Sequence, residues 1–250
     1  MMLCPLRMKV SIGLICNLMT YIRERREHIM TNTIIFDMDG VLFDTERISY
    51  ECWEEIGETM GLGDLSEGIK GCIGLNQNDA EALMHSLYGE DFPFDEFTEM
   101  AHILMKKRLL EEGTPVKEGA REILKYLTEN DYIIGMASSS SKESVMEHLE
   151  ETGLAGYFRT VITGDMVEHS KPDPDIYLKA CEELGVTPTN AVAIEDSLNG
   201  IRSAYRAGMK PVMVPDLMEP TPEIEAMLYG KFYSLLDVLD YIKNHNKNKS

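Results

Sequence analysis

Basic residues are scarce in this chain. Its 250 residues carry 24 lysines and arginines against 43 aspartates and glutamates, a formal net charge of −19. A general nucleic-acid binder needs a basic face for phosphates, and docking on an anionic membrane needs clustered lysine and arginine, so both partner classes are argued against. A phosphorylated small molecule stays compatible if a metal ion or a few placed cations receive it. Cysteine is sparse and unpatterned. Cys4, Cys16, Cys52, Cys72 and Cys181 are odd in number and form no C-x-x-C pair. That argues against a zinc site and favours reduced cytoplasmic thiols used as small hydrophobes. Long apolar runs are missing too. Val10–Met19 lies between Arg7, Lys9 and Arg23-Glu24-Arg25-Arg26, but it is too short to span a bilayer as a helix. The segment loosely resembles a signal peptide, yet it lacks a small-x-small cleavage site. Met30 stands just before the first strand, and residues 1–30 are read as an extension outside the core. There is no internal repeat and no low-complexity segment. What remains is 27% charged and 44% hydrophobic, ordinary for a soluble globular chain of one large or two smaller domains.

Within that chain, Ile34-Ile35-Phe36-Asp37-Met38-Asp39-Gly40 reads as a buried strand running into a loop. Residues two apart on a strand share a side, so Asp37 and Asp39 aim at a common region. Their repulsion calls for a cation or a proton. On these residues alone, a solvated acidic turn is an equal reading.

The period then changes. Ile48, Cys52, Trp53, Ile56 and Met60 recur at helical spacing, and Gly61 and Gly63 stop that helix. Ala80, Leu83, Met84 and Leu87 mark a second helix, and Phe97, Met100, Ala101, Leu104 and Leu109 a third. No strand pattern shows between Thr45 and Gly113. From Thr114 onward helices alternate with strands: helices near Gly119–Thr128, Val145–Leu149, Asp175–Leu184, Gly200–Ala207 and Leu235–Ile242, and strands near Tyr132–Ala137, Thr160–Thr163, Ala191–Ile194 and Pro211–Val214. That alternation predicts an α/β fold, a parallel sheet covered by helices on both faces, with its ligand beyond the carboxyl ends of the strands. The expected division is a core of residues 31–45 and 114–243, an all-helical segment over 46–113, and a polar tail over 244–250.

The residues that follow each strand converge on one chemistry. Asp37 and Asp39 follow the first strand and Ser138 opens Ser138-Ser139-Ser140-Ser141 after the second. Lys171 precedes Pro172 in the loop after the third, and Glu195-Asp196 follow the strand at Ala191–Ile194. Each has a bland reading, as turn, helix cap or surface lysine. Together they offer carboxylates for Mg²⁺, a hydroxyl and an ammonium for phosphoryl oxygens, and a carboxylate nucleophile with a second carboxyl as acid and base.

Asp37-Met38-Asp39-Gly40-Val41-Leu42-Phe43-Asp44-Thr45, Ala137-Ser138-Ser139-Ser140, Ser170-Lys171-Pro172-Asp173-Pro174 and Ile194-Glu195-Asp196-Ser197 resemble, in order, the four motifs of the haloacid dehalogenase superfamily. The helical segment after the first motif resembles the cap of its β-phosphoglucomutase-like phosphatases. The resemblance spans roughly residues 32–240. It implies a Rossmann-like core with a helical cap, and a Mg²⁺-dependent phosphatase acting on a small phosphomonoester, a sugar phosphate; from the cysteine usage the expected location is the cytoplasm, and a monomer is the expected state. It implies Asp37 as the nucleophile that forms an aspartyl-phosphate and Asp39 as acid and base. It places Ser138, Ser139 and Lys171 on the phosphate, and Asp37, the Asp39 carbonyl, Asp196 and Glu195 around the metal.

The alternative within the family is a β-phosphoglucomutase. Such mutases carry a histidine where this chain has Ser49, and a phosphate-gripping arginine where it has Gln77. An amide cannot make the bidentate charge-assisted contact of arginine. Ser49, Asn76 and Gln77 are therefore read as substrate-selecting positions in a hydrolase. Outside the family, a response-regulator receiver and a catalytically inactive scaffold remain as further alternatives. The helical insertion and the Asp37/Asp39 spacing argue against the receiver, and the full motif set argues against the scaffold.

Overall fold

The structure is a computed structural model that describes residues 32–247 apart from Gly74 and Asn76. The extension of residues 1–30 lies outside the described residues. Six strands form one parallel sheet in the order β3-β2-β1-β4-β5-β6. They are β1 (Thr33–Phe36), β2 (Ile133–Ala137), β3 (Thr160–Ile162), β4 (Val192–Glu195), β5 (Lys210–Met213) and β6 (Gly230–Lys231). The two central strands are buried along their whole length, as both faces of a helix-covered parallel sheet must be. β1 lies between β2 and β4, with Ile35 level with Gly135 on one side and Ala193 on the other. The chain leaves β1 toward β2 and β3, then crosses back to β4 on the far side. Such a switch point opens a crevice at the carboxyl ends of the strands.

Ten helices are described: α1 (Thr45–Thr59), α2 (Ser66–Cys72), α3 (Gln77–Tyr88), α4 (Phe94–Glu112), α5 (Ala120–Glu129), α6 (Lys142–Glu151), α7 (Asp175–Leu184), α8 (Leu198–Arg206), α9 (Pro222–Met227) and α10 (Leu235–Lys247). Side chains cap the amino ends of four of them: Ser141 accepts from the Ser144 amide, Ser197 from Gly200, Thr221 from Ile224 and Ser234 from Asp237. Ile176, Tyr177, Ala180 and Leu184 of α7 bury against Ile35, Ala137 and Ala193 of the sheet. α10 runs through Lys247, four residues into the segment read as a polar tail, and His245 Nδ1 meets the Tyr241 carbonyl at 2.8 Å in its last turns.

Helices α1 to α4 bury a cluster of their own. Ile56, Leu65, Ile69, Met84 and Phe97 are its centre, and Trp53 packs edge-on against Phe97 with ring centroids 5.1 Å apart. Three of these helices are the ones expected from spacing; α2 is additional. Its sequence, Ser-Glu-Gly-Ile-Lys-Gly-Cys, carries two glycines that lower helix propensity. Packing overrides that cost. A Cβ on Gly68 would stand 2.5 Å from the Tyr88 ring and 2.6 Å from Met84 Sδ, and one on Gly71 2.7 Å from Leu83. The glycines let α2 sit hard against α3. α9 and β6 were also not expected; a six-residue helix and a two-residue strand are too short to show a period.

The chain enters and leaves the helical segment at one place. The Asp44 amide donates to the Pro115 carbonyl and the Lys117 amide to the Leu42 carbonyl, both at 2.9 Å, and Phe43 pairs antiparallel with Val116. Among the described residues no helix is long and apolar enough to cross a membrane.

Candidate active site

The carboxyl ends of β1, β2 and β4 and the loop after β3 bring Asp37, Lys171, Glu195 and Asp196 together. All four are buried. Lys171 Nζ donates to Asp37 Oδ1 at 2.5 Å, to Glu195 Oε1 at 2.7 Å and to the Ala137 carbonyl at 3.0 Å. Burial acts to lower the Lys171 pKa, but the charges of Asp37 and Glu195 outweigh it and hold the ammonium charged. Glu195 is fully buried, and both its oxygens are engaged: the Tyr177 hydroxyl donates to Oε1 at 2.6 Å and Ser197 Oγ to Oε2 at 3.2 Å. Glu195 and Tyr177 thus hold the lysine in place from behind.

Asp39 points elsewhere. Its Oδ1 accepts from Thr45 Oγ1 at 2.6 Å, and its Oδ2 from Ser140 Oγ at 2.8 Å and Ser138 Oγ at 3.4 Å. Two carboxylates two residues apart therefore occupy different surroundings, one against a lysine and one against hydroxyls. The serine run divides its labour as well. Ser141 caps α6, Ser138 is fully buried beside Asp39, and Ser139 and Ser140 line the open cavity.

Asp37, Glu195 and Asp196 form the one group among the described residues able to hold a metal ion, their ligand oxygens lying within 4.8 Å of one another. Burial raises the pKa of Asp37 against the pull of Lys171, with Glu195 and Asp39 adding to the rise. Burial and then Asp37 and Glu195 raise that of Asp196. One lysine faces three buried carboxylates, and Asp196 has no hydrogen-bond partner among the described residues. Such a group is costly without a further cation, and an all-oxygen donor set suits a hard one. The backbone is shaped for it: Gly40 has φ +76°, and a Cβ there would stand 2.1 Å from Asp196 Oδ2. The residues present fit a divalent ion such as Mg²⁺.

Above the carboxylates lies a cavity of about 680 Å³, lined from the sheet side by Asp37, Asp39, Ser139 and Lys171 and from the helical side by Ser49 and Gln77 among others. Asn76 lies outside the described residues. Three contributors escaped sequence reasoning. Tyr177 carried only a core signal, Ser140 was hidden in a serine run, and Glu46, which lines the cavity, follows Thr45 with no motif of its own.

The sequence profile of the family described as haloacid dehalogenase-like hydrolase matches residues 34–214. The chain belongs to that family. YhcW of Bacillus subtilis (strain 168) is 34% identical over 222 residues, 84% of this chain and 99% of the relative. A phosphorylated carbohydrates phosphatase of Thermotoga maritima is 32% identical over 180 residues, 72% of this chain and 82% of its own length. The solved structure of a β-phosphoglucomutase from Clostridium difficile matches with a TM-score of 0.69 at 23% identity, covering 88% of this chain and 99% of that one, a likeness of fold. The chain is an enzyme, a phosphoric monoester hydrolase of this family.

Proposed function

We propose that this hydrolase is a Mg²⁺-dependent phosphatase that cleaves a small phosphomonoester, a sugar phosphate, through an aspartyl-phosphate on Asp37. The observation that carries the reading is the split environment of Asp37 and Asp39, since a nucleophile and an acid/base need different surroundings. Asp37 forms the bond to phosphorus while the bond to the leaving oxygen breaks, and that oxygen takes its proton from the Asp39 carboxyl. Water then forms the new bond to phosphorus, its proton passes to Asp39, and Asp37 is released. Lys171 neutralises charge on the phosphoryl oxygens, with Ser138 and Ser139 as hydrogen-bond donors to them. Asp37, Asp196 and the Asp39 carbonyl would hold the ion, with Glu195 behind them. Bound there, it would offset the charge of the carboxylates and the phosphate. Helices α1 to α4 act as a cap that shields the reaction from bulk water.

The printed substrate class of the Thermotoga maritima relative, phosphorylated carbohydrates, supports the choice of sugar phosphates. Gln77 on the cavity wall supports hydrolysis over mutase chemistry, which needs a second cationic grip on phosphate. Free, buried thiols at Cys52, Cys72 and Cys181 agree with a cytoplasmic enzyme, and we take it to act as a monomer. The test is Mg²⁺-dependent phosphate release from an aryl phosphate and a panel of sugar phosphates. No turnover by pure protein on any of them overturns the reading. With β-glucose phosphate as substrate, isomerised hexose phosphate formed faster than free phosphate would establish the mutase instead.

A further inference from the structure

Glu46 sits in the first turn of α1, one residue after the threonine that holds Asp39, and lines the reaction cavity. Ser49 and Trp53 follow it at three and seven residues, so all three share one face of the helix, and they also border a smaller recess of about 50 Å³. Two other acids on the same helix are ion-paired: Glu51 with Arg47 and Arg108, and Glu55 with Arg108. Glu46 is not. No described residue gives it a hydrogen bond or an ion pair, and Arg47 beside it turns away to Asp44 and Glu51. The charges around it are Asp39, Asp216 and Glu195, all acidic. A carboxylate held at a cavity wall with no donor among the described residues is an acceptor for something that enters.

The rest of the lining narrows what enters. Lys171 and His102 are the lining residues able to be cations, and Lys171 is already held by Asp37 and Glu195. His102 stands exposed on α4. Among the described residues no arginine lines the cavity. A phosphoryl group has a place at Lys171, but among the described residues a second anion would find no further lysine or arginine and would face Glu46.

We infer that Glu46 selects the leaving group, admitting phosphomonoesters whose body offers hydrogen-bond donors, hydroxyl or ammonium, and turning away those that carry a second anion. This rests on the monoester-hydrolase reading and names the substrate class within it. The experiment compares kcat/KM for matched pairs, fructose monophosphate with fructose bisphosphate and glycerol phosphate with phosphoglycerate, with phosphoethanolamine as the ammonium arm. p-Nitrophenyl phosphate turnover normalises each variant. The wild type favours the singly anionic member of each pair. Glu46→Gln narrows each preference roughly tenfold, the loss expected for one charge-assisted contact, and Glu46→Lys shifts it toward the bisphosphate. The same preferences are read without turnover as Kd ratios in Asp37→Asn and in Asp37→Asn with Glu46→Gln. Preferences that stay within about twofold of the wild type in Glu46→Gln, or a wild type that prefers the bisphosphate, overturn the inference while leaving the hydrolase reading intact. A wild type that hydrolyses none of these esters overturns both.

Discussion

Thr45 Oγ1 donates to Asp39 Oδ1 at 2.6 Å, tying the first residue of α1 to the carboxylate at the strand end. Thr45 is itself buried. The residue that begins the helical segment therefore also orients the proposed acid and base. Thr45→Val keeps the shape and removes the donor. A hydrogen bond to a charged group contributes ~1.5–3 kcal/mol, so kcat should fall roughly ten- to hundredfold with KM little changed. Steady-state kinetics check this, and an unchanged kcat would remove the orienting role.

Asp37→Asn should abolish both turnover and covalent phosphorylation, because an amide is too poor a nucleophile to displace the ester oxygen. Intact-protein mass spectrometry after rapid acid quench measures the phosphoprotein. A phosphorylated variant would move the nucleophile elsewhere.

Lys171 is the ammonium shared by two buried carboxylates, at 2.5 Å and 2.7 Å. Lys171→Met leaves both without it. Removing one partner of a buried ion pair costs ~3–5 kcal/mol, a loss to be read from urea unfolding in a chelating buffer. Added Mg²⁺ should restore part of it by binding the exposed negative charge. A variant as stable as the wild type would show that the acids are protonated in the folded state.

Gly40→Ala tests the proposed metal site without touching a ligand. The new Cβ would fall 2.1 Å from Asp196 Oδ2, at a backbone φ of +76° that alanine disfavours. Asp196 has to move. The expected result is a Mg²⁺ concentration for half-activity raised at least roughly tenfold, about 1.4 kcal/mol of lost binding. An unaltered Mg²⁺ dependence would argue that Asp196 is not a ligand.

Glu46 gives a pH signature. Burial first, and then Asp39, Asp216 and Glu195, raise its pKa from 4.5 to about 7. Between those values the folded protein keeps a proton that the unfolded chain has lost. The stability linked to Glu46 is therefore complete below pH 4.5 and is lost as pH rises through about 7. Glu46→Gln cannot lose that proton. In chelating buffer, its unfolding free energy relative to the wild type should rise by about 1–2 kcal/mol between about pH 5 and about pH 8, after allowance for partial solvent screening. Chemical unfolding at the two pH values measures the difference, and an equal difference at both would show that Glu46 titrates normally.

Much of this was legible in the sequence, for physical reasons. The helix expected at Asp175–Leu184 is the one observed, since its buried residues recur at helical spacing and Gly185 ends it with a left-handed residue. Asp37, Lys171, Glu195 and Asp196 meet because parallel strands send their following residues to one edge, which alternation alone predicts. What pattern could not show depends on particular packing. The α2 glycines look like helix breakers until Met84, Leu83 and Tyr88 are seen pressed against them. Tyr177 reads as core, and only its hydroxyl on Glu195 reveals a second task. Glu46 stands out only through lacking a partner among the described residues.

The short antiparallel pairing of Phe43 with Val116 has a further consequence. Because entry and exit of the helical segment are stitched side by side, the sheet experiences that segment as a closed loop whose ends already touch. An exchange for a segment of different length would leave the strand ends meeting as they do now, provided that pairing is kept. Thr45 is the exception: it belongs to the exchangeable part yet holds Asp39. A transplanted segment that kept a hydroxyl at that position would keep the chemistry while changing what the enzyme accepts.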